Sequence, residues 1–285
     1  MPPVALGLLL VAATLHMGWN LLVKRAGQKQ IFTWCALIVG SVCFSPLLIT
    51  SSPLPVRIWP YVVSSALVEA IYYMALIRGY EIGDFSLIYP VARGAAPAFL
   101  VIWATLFLGE HPRPMGLAGL ALLVLGLILV GGGVLWSQRK TAVLNRSAIA
   151  VALGTACCIS IYTVIDGAAV RFAASLPYTV LVIGLSAVLF TPAVFIHYGP
   201  RAVALEWRAH WFPILIAGLL ALLAYILVLY VYTIARVSYA GAVREISIVL
   251  AAFVGWRWLG EGFGLTRILG ASLIFVGILV ITIAG

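Results

Sequence analysis

Charged residues are scarce in this chain, and their scarcity excludes a soluble globular domain. Asp, Glu, Lys and Arg together make up 9% of the 285 residues, whereas hydrophobic residues make up 64%. In a soluble domain roughly a quarter of the residues are charged. The composition therefore predicts a protein whose helices lie in a lipid bilayer.

Catalytic and metal-binding motifs are also lacking. The sequence contains no Gly-x-Ser-x-Gly elbow, no His-Glu-x-x-His pair and no glycine-rich nucleotide loop ending in Lys-Ser. Its four cysteines, Cys35, Cys43, Cys157 and Cys158, lie in apolar runs without metal-ligand spacing. We therefore expect a protein that is not an enzyme and that uses neither a cofactor nor a metal.

Long apolar runs fill the chain instead. A helix needs about 20 apolar residues to cross roughly 30 Å of hydrocarbon. Ten runs meet this requirement, and Pro and Gly mark the breaks between them. The predicted spans are 3–25, 31–50, 58–79, 84–108, 113–135, 147–170, 177–197, 209–234, 238–258 and 263–284. The expected fold is an all-α, multi-pass membrane protein of ten transmembrane helices.

The second half of the chain repeats the first. Four features recur 151 residues later: Arg93 as Arg244, Leu108-Gly109-Glu110 as Leu259-Gly260-Glu261, Gly119 as Gly270 and Gly126 as Gly277. At a shift of 146 residues, His16, Asn20 and Arg25 align with Tyr162, Asp166 and Arg171. We therefore predict two repeats, 1–140 and 141–285. Five spans in each repeat require the second repeat to be inverted, an arrangement typical of secondary transporters.

Basic residues predict the orientation. The net charge of +9 does not indicate nucleic acid binding, because the Lys and Arg residues lie mainly at span ends. Loops that follow odd-numbered spans hold eleven of them and the other loops hold four. By the positive-inside rule, the odd-span loops face the cytoplasm and both termini face outward.

Several short motifs resemble the EamA family of the drug/metabolite transporter superfamily. They are His16-Met17-Gly18-Trp19-Asn20, the segment 83–90 (GDFSLIYP), Ala92-Arg93-Gly94, both Leu-Gly-Glu turns and Tyr162-Thr163-Val164-Ile165-Asp166-Gly167. The resemblance covers the whole chain. It implies a ten-helix bacterial inner-membrane protein that exports small metabolites by alternating access, without nucleotide hydrolysis. Many relatives are drawn with cytoplasmic termini, contrary to the charge count.

Two arginines lie deep inside predicted spans. Arg93 is about nine residues into the fourth span and Arg244 about six residues into the ninth, and burying them costs several kcal/mol without a partner or ligand. One hypothesis is that they converge at the repeat axis and bind a carboxylate or phosphate. The alternative is structural ion pairing, of Arg93 with Glu69 and of Arg244 with Glu245 or Asp166.

Other polar residues share helix faces by their i, i+3, i+4 spacing. These candidate substrate-binding residues are Glu69, Tyr72 and Tyr73 on one face, Tyr89 with Ser86 and Arg93 on a second, and Trp19 and Asn20 with His16 on a third. Asp166 and Tyr162 match the third face in the second repeat. For the tyrosines, packing is an equally good interpretation, and for Trp19 and Asn20 so is a hydrogen-bonding role at the interface.

Two further motifs have structural interpretations. Glu110 and Glu261 end their Leu-Gly-Glu turns, where each carboxylate would stabilise the N-terminus of the following helix. Gly119 and Gly126, like Gly270 and Gly277, are seven residues apart and so lie on one helix face. We expect them to let the fifth and tenth helices pack closely.

The sequence thus predicts a secondary transporter of a small organic metabolite, anionic or zwitterionic. The alternative is a channel, or a membrane protein that binds a ligand without active transport. Expected partners are the substrate and the lipid bilayer, with a proton or a counter-substrate as a candidate coupling species. Glu69, Glu245 and Asp166 are candidate proton carriers. The chain is expected to be a monomer or a homodimer.

Overall fold

The fold was analysed in a computed structural model, which describes residues 1–82, 85–137, 146–247, 249–250 and 265–284. In these segments the regular structure is helical throughout, without a strand. The side chains of 77–91, 130–146 and 251–265 lie outside the description, as do Lys24, Arg267 and the last two residues. The turn Leu259-Gly260-Glu261 therefore lies outside the described residues.

The helices of the first half follow the turn chemistry of the sequence. Their bounds are α1 Pro3–Arg25, α2 Lys29–Phe44, α3 Leu47–Thr50, a 3-10 turn Val56–Ile58, α4 Trp59–Ile82, α5 Phe85–Leu108 and α6 Pro114–Ser137. A short break at Ser45 and Pro46 separates α2 from α3, within the predicted second span. Gly109 has φ +64°, a left-handed conformation that favours glycine, and it closes α5.

In the second half, two predicted spans run together as helices joined across kinks. The helices of this half are α7 Arg146–Ala169, α8 Ser175–Ile234, α9 Val237–Arg244 and α10 Leu265–Ala284. The 60-residue α8 contains the predicted spans 177–197 and 209–234 and kinks where Gly199 (φ 74°) and His210 (φ −132°) leave helical geometry. The predicted break at Gly199-Pro200 is confirmed, because Gly199 leaves helical geometry, whereas the connecting residues 200–209, predicted as a loop, are helical.

The connecting part of α8 is fastened to the turn between α1 and α2. Glu206 is buried, and its Oε2 accepts a hydrogen bond of 3.1 Å from the backbone N–H of Gln28. The Nδ1 atom of His210 lies 2.9 Å from Oε1 of the same carboxylate. The second kink of α8 is therefore held against the end of α1.

Length and hydropathy of the helices agree with a multi-pass membrane protein. Within the described residues, three helical segments are long and apolar enough to cross a membrane: Pro3–Val23, Ser147–Ala169 and Ser175–Ile234. Four shorter helical segments are also apolar: Lys29–Phe44, Ala92–Leu108, Pro114–Leu129 and Ile268–Ile283.

The predicted close packing of α6 and α10 is confirmed. A Cβ atom added to Gly119 would lie 2.9 Å from the carbonyl oxygen of Gly277, and one added to Gly126 would lie 2.6 Å from that of Gly270. The two backbones therefore touch at both points. Because contacts move from Gly277 to Gly270 as α6 advances from Gly119 to Gly126, the helices cross antiparallel.

Other helix pairs follow the same reciprocal pattern. The helix α5 packs on α7, and α1 packs on α9; α4 packs on α7, and α1 packs on α8. By span order, α1, α4 and α5 correspond to α7, the second part of α8 and α9. Replacing each helix by its counterpart turns the α5–α7 contact into the α9–α1 contact, and the α4–α7 contact into the α8–α1 contact. Reciprocal contacts of this kind are those of a two-fold axis. The contacts bring α5 against α7 and α1 against α9.

The role predicted for Glu110 was wrong in one respect. Its carboxylate does not cap the following helix, α6, but the N-terminus of α9 in the other half of the chain. Oε1 accepts a hydrogen bond of 2.6 Å from the N–H of Val237, and Oε2 accepts bonds from the N–H and hydroxyl of Ser238. The sequence spacing shows a carboxylate after a turn but not which helix end the turn faces.

The glycine contacts predict that a larger residue at Gly126 destabilises the protein. Gly126→Val would place side-chain atoms against the backbone of α10 and should lower the free energy of unfolding by about 1–3 kcal/mol. Gly154→Val in α7 is the matched control, because a Cβ at Gly154 meets nothing within 4 Å. Unfolding of the purified protein in SDS titrations measures both, and equal losses would show that the α6–α10 crossing contributes nothing.

The capping contacts predict an order of stability among Glu110 variants. Glu110→Ala leaves two N–H groups of α9 without an acceptor and should cost about 1–2 kcal/mol. Glu110→Gln keeps an acceptor oxygen and should cost less. The same SDS titrations rank the variants. A Glu110→Ala protein as stable as the wild type would contradict the capping role.

Candidate functional site

Two arginines from different halves of the chain meet at one carboxylate. Arg93 from α5 places Nη1 3.2 Å from Oε1 and 3.3 Å from Oε2 of Glu245, and Nη2 of Arg244 lies 3.4 Å from the same Oε1. Arg93, Arg244 and Glu245 are 8%, 7% and 1% exposed. The three side chains thus form a buried ion cluster where α5 and α9 meet.

The donors around Arg244 exceed the acceptors that the described residues offer. The Nε atom of Arg244 and the hydroxyl of Tyr232 are buried and have no hydrogen-bond partner there. The two groups are close enough to interact electrostatically. An unpaired buried donor costs about 1–3 kcal/mol. A ligand that carries acceptor oxygens would remove this cost.

His16 of α1 joins the cluster through its imidazole ring. Its Nε2 lies 3.1 Å from Nη2 of Arg93, and its Nδ1 lies 3.1 Å from Nε1 of Trp19, whose indole N–H is a donor. A neutral imidazole has one N–H and one acceptor nitrogen, so it cannot accept from both neighbours. If Nδ1 accepts from Trp19, then Nε2 carries the proton and faces another donor in Arg93.

Asn20 takes no part in this contact. Its Nδ2 donates a hydrogen bond of 2.7 Å to the backbone oxygen of His16, one turn earlier in α1. Trp19 and His16 pack edge to face with ring centroids 5.3 Å apart. Of the residues on this predicted face, His16 therefore reaches Arg93, Trp19 contacts His16, and Asn20 is bonded to its own helix.

Asp166 of α7 forms a separate, fully hydrogen-bonded site. Its Oδ1 accepts bonds from Ser65 at 2.5 Å and Tyr178 at 2.7 Å, and its Oδ2 accepts one from the hydroxyl of Tyr225. Asp166 is fully buried. Hydrogen bonds to the ionised form stabilise a carboxylate, so three hydroxyl donors can hold this charge within the bundle.

Glu69 of α4 lies beside Asp166 but is less well bonded. It is 4% exposed, and its Oε2 has no hydrogen-bond partner among the described residues. The carboxylates of Glu69 and Asp166 repel each other, while Arg244 attracts Glu69. The basic side of the site is thus formed by Arg93 and Arg244, and the acidic side by Glu69 and Asp166.

Tyrosines connect the two sides. The rings of Tyr72 and Tyr73 are 4.9 Å apart, Tyr72 lies 6.1 Å from Tyr162, and Tyr73 stacks on Phe190 at 5.3 Å. Aromatic pairs at these distances stabilise packing in their own right. We call the whole set the central cluster, and its members are His16, Glu69, Tyr72, Tyr73, Arg93, Tyr162, Asp166, Tyr225, Tyr232, Arg244 and Glu245.

The structure places the residues singled out in the sequence as follows. Arg244 pairs with Glu245, one of the pairs considered, whereas Arg93 pairs with Glu245 and not with Glu69. The side chains of Tyr89 and Ser86 lie outside the described residues. Reasoning from sequence missed Ser65, Tyr178, Tyr225 and Tyr232. Their only signal was a hydroxyl within an apolar span.

Comparison with known proteins agrees with this architecture. The model of the EamA-like transporter family matches residues 4–132 and 146–283, one match for each half of the chain. One protein crystal structure superposes with a TM-score of 0.74 at 16% sequence identity, covering 98% of this chain and 99% of its own. That likeness concerns the fold alone. No curated protein matches the sequence. The family model spans nearly the whole chain, and the protein therefore belongs to the EamA-like transporter family.

Proposed function

We propose that this protein is a secondary transporter of a small organic anion or zwitterion, and that Arg93 and Arg244 bind the anionic group. In this proposal its two units, 1–140 and 141–285, are inverted repeats of five spans each. They alternate access to one central site in a bacterial inner membrane, in the direction of export. Family membership supports membrane transport, and the antiparallel crossing of α6 and α10 supports inversion.

The observation that carries the proposal is the excess of buried donors around one carboxylate. Two guanidiniums share Glu245, and the Nε of Arg244 and the hydroxyl of Tyr232 have no partner in the described part of the chain. Arg93 and Trp19 both place N–H groups against His16, whose neutral ring can accept from only one of them. A carboxylate or phosphate supplies several acceptor oxygens to such a set, and the planar guanidinium matches its geometry.

The position of the cluster supports alternating access. Arg93 belongs to the first repeat, whereas Arg244 and Glu245 belong to the second, so the pair Arg93–Glu245 joins the repeats across the proposed axis. A bound anion competes with Glu245 for both guanidiniums. Substrate binding would thereby loosen the bond between repeats, and release would restore it. This exchange of partners links occupancy of the site to the relative position of the repeats.

The acidic side allows a zwitterion as well as a simple anion. Glu69 and Asp166 lie in the same cluster as the arginines, and Tyr73 and Tyr162 are close enough to interact with both Glu69 and Arg93. An ammonium group of the substrate would face these carboxylates while its carboxylate faces the arginines. The charges of the cluster therefore favour a substrate with an anionic group and allow one that also has a cationic group.

The test measures binding and transport with two probes, succinate as a carboxylate and glycerol 3-phosphate as a phosphate ester. Arg93→Gln and Arg244→Gln each remove one charged donor and should weaken binding of a recognised probe about 10- to 100-fold. Thermal shift of the purified protein reports binding, and counterflow in proteoliposomes reports carrier transport. Saturable exchange against unlabelled probe would also exclude a simple channel.

Arg171→Gln is the control for this test. Arg171 donates to the carbonyl of Leu108 at the end of α5, at an exposed position away from the central cluster. It should bind and transport as the wild type does. Full transport by a folded, membrane-inserted Arg93→Gln/Arg244→Gln protein would overturn the proposal.

A further inference from the structure

The central cluster contains more acidic than basic groups. Three carboxylates, Glu69, Asp166 and Glu245, are 4%, 0% and 1% exposed, and two guanidiniums face them. With every group ionised and His16 neutral, these described side chains carry one negative charge. A net charge in the low-dielectric interior of a helical bundle is costly, so a proton or another cation is needed for balance.

The three carboxylates differ in how well their charge is stabilised. Glu245 accepts hydrogen bonds from both arginines, and Asp166 accepts three from hydroxyl groups. Glu69 has the hydroxyls of Ser186 and Tyr225 within hydrogen-bonding reach, but its buried Oε2 has no partner in the described residues. We propose that Glu69 is the proton-binding residue of this transporter, and that one proton moves together with each anion in either direction, so that export follows the outward gradient of the anion.

Groups on four helices face Glu69 and influence how readily it binds a proton. They are Tyr73 of α4, Tyr162 and Asp166 of α7, Tyr178 and Tyr225 of α8, and Arg244 of α9. Asp166 repels a second negative charge, and Arg244 attracts it. When an anion binds to Arg244, it cancels this attraction. The occupied site therefore favours a protonated Glu69.

Linkage makes the coupling reciprocal. If a bound anion strengthens proton binding at Glu69, a proton on Glu69 strengthens anion binding by the same factor. When Glu69 is protonated, the two guanidiniums balance the charges of Asp166 and Glu245, and the net charge of these side chains is zero. A bound monoanion then brings the site to one negative charge, whereas with Glu69 ionised it would bring it to two. The proton forms an O–H bond with one carboxylate oxygen and leaves to water when the site opens. This coupling rests on the proposed function, whereas proton binding by Glu69 does not.

Proton binding is tested without any substrate. Infrared spectra of the purified wild-type protein should contain the carbonyl band of a protonated carboxylic acid in acidic buffer and lose it reversibly in alkaline buffer. Glu69→Gln should remove this band. Glu206→Gln is the matched control, because Glu206 is also buried but lies at the kink of α8, outside the cluster. It should keep the band.

Two results would overturn proton binding at Glu69. One is a band in Glu69→Gln equal to that of the wild type, and the other is loss of the band in Glu206→Gln alone. Glu69→Asp provides a second variant that keeps the carboxyl group. It should retain a titratable band at a shifted frequency.

Coupling is tested in proteoliposomes with the succinate and glycerol 3-phosphate probes. An inward proton gradient should accelerate wild-type uptake of a transported probe several-fold. Glu69→Gln should lose this acceleration while counterflow exchange, which needs no net proton movement, continues. Gradient-driven uptake that persists in Glu69→Gln would overturn the coupling.

The arginine variants separate this inference from the proposed function. Arg93→Gln and Arg244→Gln should lose exchange and uptake but keep the infrared band. If these variants transport normally while Glu69→Gln lacks the band, anion capture by the arginines is wrong and proton binding by Glu69 stands. If the arginine variants lose transport and Glu69→Gln keeps the band, proton binding by Glu69 is wrong and anion capture by the arginines stands.

Discussion

The sharing of one carboxylate by two buried guanidiniums is the interaction on which the centre of this protein depends. Neither arginine could remain at its depth without a counter-charge, because the surrounding helices offer hydrocarbon and not water. Glu245 supplies that charge to both Arg93 and Arg244, which lie on helices from different halves of the chain. One carboxylate thereby fixes the relative position of α5 and α9 at the core of the bundle.

The reciprocal helix contacts explain why such sharing is possible. Where α6 and α10 cross, glycine at both points lets the backbones touch. Gly119 of α6 meets Gly277 of α10, and Gly126 of α6 meets Gly270 of α10. A two-fold arrangement brings equivalent residues to the same axis. Arg93 and Arg244 are equivalent residues, and they meet. Glu245 has no acidic equivalent, because the position 151 residues earlier is Gly94, so the acceptor comes from one half only.

Local patterns in the sequence predicted the architecture well, and contacts between distant helices less well. The apolar runs and the 151-residue shift anticipated the helices, the matching halves and the glycine crossing, because each depends on spacing within one segment. The pairing of Arg93 with Glu245 and the capping of α9 by Glu110 depend on which helix ends meet in space. Ser65, Tyr178 and Tyr225 escaped notice for the same reason, since a lone hydroxyl in an apolar run reveals no partner. The break at Gly199-Pro200 was anticipated, whereas the helical geometry of the connecting residues 200–209 was not.

The links between consecutive spans differ in the two halves. In the second half, the spans flanking Gly199 and His210 are joined by helix, and the buried carboxylate of Glu206 ties that helix to the turn after α1. The corresponding link in the first half, between α3 and α4, contains the non-helical stretch 51–55 with two prolines. One link is therefore helical and held by a buried carboxylate, and the other is a non-helical segment with two prolines. Two halves with matching sequences therefore need not move in the same way.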